Sequence, residues 1–147
     1  MNPPPIPHAN WPDPTAALDE ALDIVGVMSS TGCTEEDFAD LAAIFLQEQG
    51  NMNARLERAA QALQNSGGGP GWVEAVELLR TAAHELTTSF GIVGARRAEA
   101  YSRHTQLRTR KGSALADPAP TQQELCTAAS SLQGAVNRAA ELLTRLG

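Results

Sequence analysis

The stretch TQQELCTAASSLQGAVNRAAELLTRL, residues 121–146, decides the fold. Its residues Leu125, Ala129, Leu132, Val136, Ala139, Leu143 and Leu146 alternate four- and three-residue steps. That period places them on one face of an α-helix, the seam a helix buries in a bundle. Thr121 and Glu124 open the stretch as a capping box, each side chain spaced to bond the other's backbone N–H. Composition leans the same way. Leu occurs 16 times, while Val and Ile together reach 10, and a sheet protein would carry many more β-branched residues.

Toward the N-terminus the helical period recurs. Residues 95–111 predict a polar helix whose main apolar residues are Ala95, Ala98, Tyr101 and Leu107. Another helix starts near Trp72 and runs past His84 to about Gly91, with Gly94 marking its end. Ser66 to Gly71 (SGGGPG) is the clearest loop. Before it, Phe38, Leu41, Phe45, Met52, Leu56, Ala59 and Leu63 define a long amphipathic helix, which Gly50 weakens without breaking. Thr34 opens it, with Asp37 in the capping-box role of Glu. A short helix is expected from Thr15, its cap, to about Ser30. Residues 1–14 hold Pro3, Pro4, Pro5, Pro7, Pro12 and Pro14, which forbid a helix and predict an extended arm. The arm reads as a solvated tail with Trp11 tucked against the domain, or as a docking peptide for a Pro-binding module. The expected architecture is all-α: a Pro-rich tail over 1–14, then an up-down four-helix bundle over 15–147 with a short additional N-terminal helix.

Charge narrows the function classes. Lys and Arg number 11 against 17 Asp and Glu, a net charge of −6. Duplex binding needs a basic surface to displace phosphate counterions, so a nucleic-acid partner is not expected. Aromatics at 4% are too sparse to stack bases. Two cysteines, Cys33 and Cys126, provide neither a disulfide framework nor a four-thiolate zinc site, and His104 has no acid cluster nearby. No apolar run reaches the length of a membrane span, and no signal peptide is expected. Arg96, Arg97, Arg108, Arg110 and Lys111 make one helix basic, read as a solvated face or as a surface for an acidic partner or a phosphate.

The helix around His84 carries the informative residues. On a wheel of roughly 100° per residue, Trp72, Leu79, Ala82, Leu86, Phe90 and Val93 gather on the side opposite His84. His84 therefore points to water, with Glu77, Arg80, Thr88 and Gly91 on the same exposed strip. The run from His84 to Ala95, HELTTSFGIVGA, resembles the signature of histidine phosphotransfer domains. The matches are His84, Leu86, Ser89, Val93, Gly94 and Ala95, with Ala83 also typical, and the predicted helix order follows the family from Thr15 to Leu146. Three positions depart from the family: Thr87 replaces a Lys, Thr88 replaces a Gly, and Phe90 replaces a small residue.

The resemblance implies that His84 accepts a phosphoryl group from a receiver-domain aspartate and passes it to another receiver domain. It implies partners among the receiver domains of hybrid histidine kinases and response regulators, and no cofactor of its own, Mg²⁺ being on the receiver. It implies a monomeric carrier without a kinase domain, cytoplasmic, and nuclear as well in a eukaryote. Gln106 and Arg110 match the fungal-type spacing of phosphate-side residues, with Arg80 and Thr88 as further candidates. Arg110 is expected to provide the main cation, Arg80 being its competitor. Receiver docking is expected on Ile24, Val25, Met28 and Gly91, with the first three forming a small patch beside His84. The alternative is a helical adaptor that binds receivers without efficient transfer, since Thr87 lacks the Lys charge and Thr88 adds bulk where a receiver would press.

Overall fold

The computed structural model describes residues 11–13, 21–67, 69–111 and 119–146. Five helices account for most of them: α1 (Ile24–Thr31), α2 (Glu35–Ser66), α3 (Trp72–Val93), α4 (Arg96–Thr109) and α5 (Gln122–Leu146). The described residues contain no strand. The four longer helices form the bundle, α1 lying against α3. Cross-helix pairs run in opposite chain directions at each contact. Gln49 and Gln133 of α2 and α5 meet Asn137 and Asn53 respectively, while Gln122 reaches the Leu63 carbonyl at the far end. Phe45 of α2 stacks near Phe90 of α3, and Arg55 pairs with Glu85 one end further along. Neighbours are thus antiparallel, as short connections require.

Local chemistry sets the helix ends. Thr34 and Asp37 form a reciprocal capping box, and Thr121 and Glu124 form another. Such caps satisfy N–H groups that have no partner inside the helix. Gly94 ends α3 in the left-handed region at φ 80°. A Cβ there would also lie 2.7 Å from the Asp23 carbonyl oxygen, whose residue donates its own N–H to the Gly94 carbonyl at 2.9 Å. Glycine at 94 therefore serves two needs, the turn and the close approach of the chain entering α1.

One boundary differs from expectation. The helix expected from Thr15 to about Ser30 is not continuous: residues 21–23 are non-helical, α1 starts at Ile24, and Asp23 caps it by accepting from the Gly26 amide at 3.0 Å. Thr15, most of the Pro-rich tail, His8, Gly68, Gly112, Asp117 and Pro118 lie outside the described residues. The expected seam of α5 is buried from Leu125 to Leu143, while Leu146 at the helix end is exposed.

The core is aliphatic, with Leu56, Leu63, Leu79, Leu86, Leu125, Leu132, Val93, Val136 and Phe90 all fully enclosed. Ser102, Thr105, Arg108 and Glu124 are its buried polar members; Arg108 is 1% exposed, and its guanidinium lies 3.3 Å from the Glu124 carboxylate. This corrects the reading of Arg108 as part of a solvated basic face. Trp11 covers the pair. Its indole N–H donates to Glu124 Oε2 at 3.0 Å, its ring sits 5.6 Å from the Arg108 guanidinium, and it packs on Tyr101 and His104. The expectation that Trp11 tucks against the domain holds, and Trp11 is part of the core.

Burial works against ionisation of Glu124. The Thr121 amide, the Trp11 indole and the Arg108 guanidinium outweigh it and hold the carboxyl below its ordinary range. A carboxylate lowered in the folded state contributes its full stability above the unfolded value, about 4.3, and loses it as pH falls through the lowered one. Melting temperature should therefore drop on acidification below about pH 4.3. Glu124→Gln should flatten that acid limb in a melting profile against pH; an unaltered limb would count against the assignment.

Candidate functional site

His84 lies in the middle of α3 on its exposed side, and the wheel places its neighbours correctly. Glu77 and Thr88 are exposed, Arg80 and Gly91 half-buried, and Ala82, Ala83, Leu86, Phe90 and Val93 form the buried face. Phe90 fills a core position, which explains its size at a place where the resembled family keeps a small residue.

The turn at Gly94 and Ala95 folds α4 back along α3, so α4 residues meet α3 in reverse order. Gly91 faces Glu99, Thr87 meets Ser102, and His84 meets Gln106. His84 Nδ1 stands 3.0 Å from Gln106 Oε1. With the amide oxygen on this side, which only accepts, the contact takes Nδ1 as its donor and leaves the lone pair to Nε2 on the exposed ring. The other end of the Gln106 amide donates from Nε2 to Thr87 Oγ1 at 2.7 Å. Thr87 donates in turn to the Ala83 carbonyl at 2.8 Å, and Ser102 Oγ lies 2.9 Å away. Gln106 was a candidate through the family resemblance, which implies a Gln at this distance from the histidine. Thr87 and Ser102 were missed as contributors, because nothing local in either stretch reveals that α3 and α4 bring the two hydroxyls together.

The candidate cations occupy the next turn of the same face. Arg80, Arg110, Lys111 and Glu77 line one depression, with Trp72, Val73 and Val76 as its apolar wall. Arg80 is engaged at two points by the Glu77 carboxylate, and this hydrogen bonding raises the Arg80 pKa and lowers that of Glu77. Arg110 follows the last turn of α4, is exposed, and forms no ion pair among the described residues. It is not hydrogen-bonded to His84 among those residues.

On the other side of His84, Thr87, Thr88 and Gly91 border a second depression closed by Val27, Ser30, Thr31, Cys33 and Leu41. Glu99 floors it, pairing with Arg103 at 3.2 Å and Arg96 at 3.6 Å. A Cβ on Gly91 would lie 3.0 Å from the Glu99 carboxylate, so this position has little room for a side chain.

The expected docking patch is corrected here. Val25 is 77% exposed and Ile24 and Met28 are half-buried, so the three are partly exposed as expected, but not in the depression beside His84. They line a separate apolar depression with Phe38, Ala42, Leu46, Leu143 and Leu146. The face of α1 toward Thr87, Thr88 and Gly91 is that of Val27, Ser30 and Thr31. Around α1 Ser30 and Val25 lie about 140° apart, which sends them into different grooves, with Ile24 and Thr31 near the boundary between the two faces.

Among the described residues no three His, Cys, Asp or Glu side chains cluster to hold a metal ion, and no helix is long and apolar enough to cross a membrane. Cys33 and Cys126 are free thiols, and burial raises the Cys126 pKa. Compared with known proteins, the chain matches no family model, no curated protein and no solved structure.

Proposed function

We propose that the chain is a phosphorelay carrier of the histidine phosphotransfer kind, with His84 as the phosphoryl acceptor. One observation carries the reading: an exposed imidazole at the centre of a bundle helix has its Nδ1 proton held by Gln106 of the next helix, leaving the Nε2 lone pair available. The Nε2 lone pair attacks the phosphorus of a receiver's aspartyl phosphate. An N–P bond forms, the P–O bond to the aspartate breaks, and the carboxylate leaves with its electron pair. The ring keeps its Nδ1 proton and gains positive charge, which Gln106 Oε1 stabilises. Attack by the aspartate of a second receiver reverses the step. Mg²⁺ bound to the receiver supplies charge neutralisation at the transferring group. The chain's own part is positioning, and it needs no kinase domain, metal or cofactor for that. The carrier is read as a monomer of the cytoplasm, and of the nucleus in a eukaryote.

Incubation with phosphorylated receiver domains tests this. Acid-labile, alkali-stable label on this chain is the expected result. Binding without label would favour a receiver-binding adaptor, the reading that Thr88 supports by adding bulk beside His84. Neither binding nor label would overturn both.

The phosphorylated site carries more than one negative charge and favours a guanidinium. Arg80 already spends its charge on Glu77, whereas Arg110 forms no ion pair among the described residues. Arg110→Ala should slow transfer or shorten the phosphohistidine lifetime several-fold, and Arg80→Ala less. The effect is modest because a single exposed pair is worth about 1 kcal/mol or less. Equal transfer rates in Arg110→Ala and the parent chain would remove Arg110 from the site.

A further inference from the structure

We infer that Thr87 is a positioning residue: its hydroxyl fixes which way the Gln106 amide faces, and thereby which ring nitrogen of His84 holds the lone pair. The two ends of a carboxamide are nearly equal in shape, so hydrogen-bond partners alone decide which end faces His84. With the amide turned the other way, Gln106 would donate to His84 Nδ1. The proton would then sit on His84 Nε2, and the outward nitrogen would have no lone pair to give.

Thr87 settles the choice through proton counting. A hydroxyl has one proton to give and two lone pairs to receive with. Thr87 gives its proton to the Ala83 carbonyl at 2.8 Å, one turn back on its own helix. Its lone pairs then face Gln106 Nε2 at 2.7 Å and Ser102 Oγ at 2.9 Å. Ser102 also lies 2.9 Å from the Glu99 carbonyl, so its one proton has two acceptors within reach. With its proton committed to Ala83, Thr87 presents an acceptor to Gln106 and selects the NH₂ end. The amide oxygen is left for His84 Nδ1–H. The order runs Ala83 carbonyl, Thr87 hydroxyl, Gln106 amide, His84 ring, each proton pointing one step back along it. Thr87 is half-buried and Ser102 fully buried, so little water competes for these bonds. A charged amine at position 87 could only donate, and would draw the amide oxygen toward itself and away from His84.

The proposal depends on the carrier reading only for the use made of the lone pair. Its test therefore needs no receiver domain. Long-range proton–nitrogen correlation spectra of ¹⁵N-labelled chain, taken where the imidazole is neutral, identify which His84 nitrogen is protonated. The parent chain should show protonated Nδ1. Thr87→Ser, which keeps the hydroxyl, should match it. Thr87→Val, nearly equal in shape but without the hydroxyl, should shift the tautomer ratio toward protonated Nε2 by roughly five-fold, the worth of one neutral hydrogen bond. Protonated Nε2 in the parent chain would overturn the inference with no variant needed. An unchanged ratio in folded Thr87→Val would overturn it as well. Failure of receivers to transfer to the parent chain would sink the carrier reading and leave the tautomer result standing.

Discussion

His84→Gln should eliminate acid-labile labelling by phosphorylated receivers, with no residual acceptance at long incubation. The loss is complete because the carboxamide has no basic nitrogen to attack phosphorus. No neighbouring group stands ready to replace it. His104, on α4, packs its ring 5.2 Å from that of Trp11 and is partly covered, and His8 belongs to the N-terminal tail. The fold should be indifferent to the change. His84 is exposed, and its side chain meets Gln106, to which a glutamine can also donate. Exposed substitutions of this kind stay within about 0.5 kcal/mol, which for a chain of this size is about 2 °C in melting temperature. Quantitative labelling with a parallel thermal melt checks both halves. Label retained by the variant, or recovered on His104 by peptide mapping, would show that His84 is not the acceptor.

Legibility in the sequence followed the range of the interactions. The caps at Thr34, Thr121 and Gly94 depend on residues within three or four positions, and the structure has each of them. The exposure of His84 follows from the period of a single helix, so a wheel suffices for it. What lay hidden required two helices at once. Thr87 read as the absence of a Lys, and its partners Ser102 and Gln106 are on the next helix. The orientation of α1 was beyond its own pattern: eight residues, apolar on several sides, have no single stripe to declare a direction. Hence Ile24, Val25 and Met28 were placed beside His84 and belong to another groove. On α4 the buried side runs Ala98, Tyr101, Ser102, Thr105 and Arg108 at three- and four-residue steps. Its polar members mask the stripe: Leu107, among the main apolar residues of the helix, is only half-buried, while Arg108 is inward.

Arg108→Ala is expected to cost more stability than any other substitution considered. Arg108 and Glu124 are 1% and 6% exposed, so removing the guanidinium strands a carboxylate in the interior. Breaking a buried pair from one side costs about 3–5 kcal/mol, or roughly 10 °C of melting temperature in a chain of this length. Two further losses add to it: the cation over the Trp11 ring, and the volume of a long side chain at a site with little water to refill it. The pair itself need not be net stabilising, because desolvating both charges offsets much of their attraction. That separates two explanations. If the cost arises from the stranded charge, Arg108→Met combined with Glu124→Gln should recover most of the stability. The two donors meet different carboxylate oxygens, so the single amide oxygen of the Gln keeps one of these bonds, to the Trp11 indole or to the Thr121 amide, and loses the other. If the cost arises from packing alone, Arg108→Met should recover it without any change at Glu124. Urea titrations of the three variants distinguish these cases. A loss below about 1 kcal/mol in Arg108→Ala, the scale of an exposed pair, would mean that Arg108 and Glu124 are solvated and that Trp11 does not close over them.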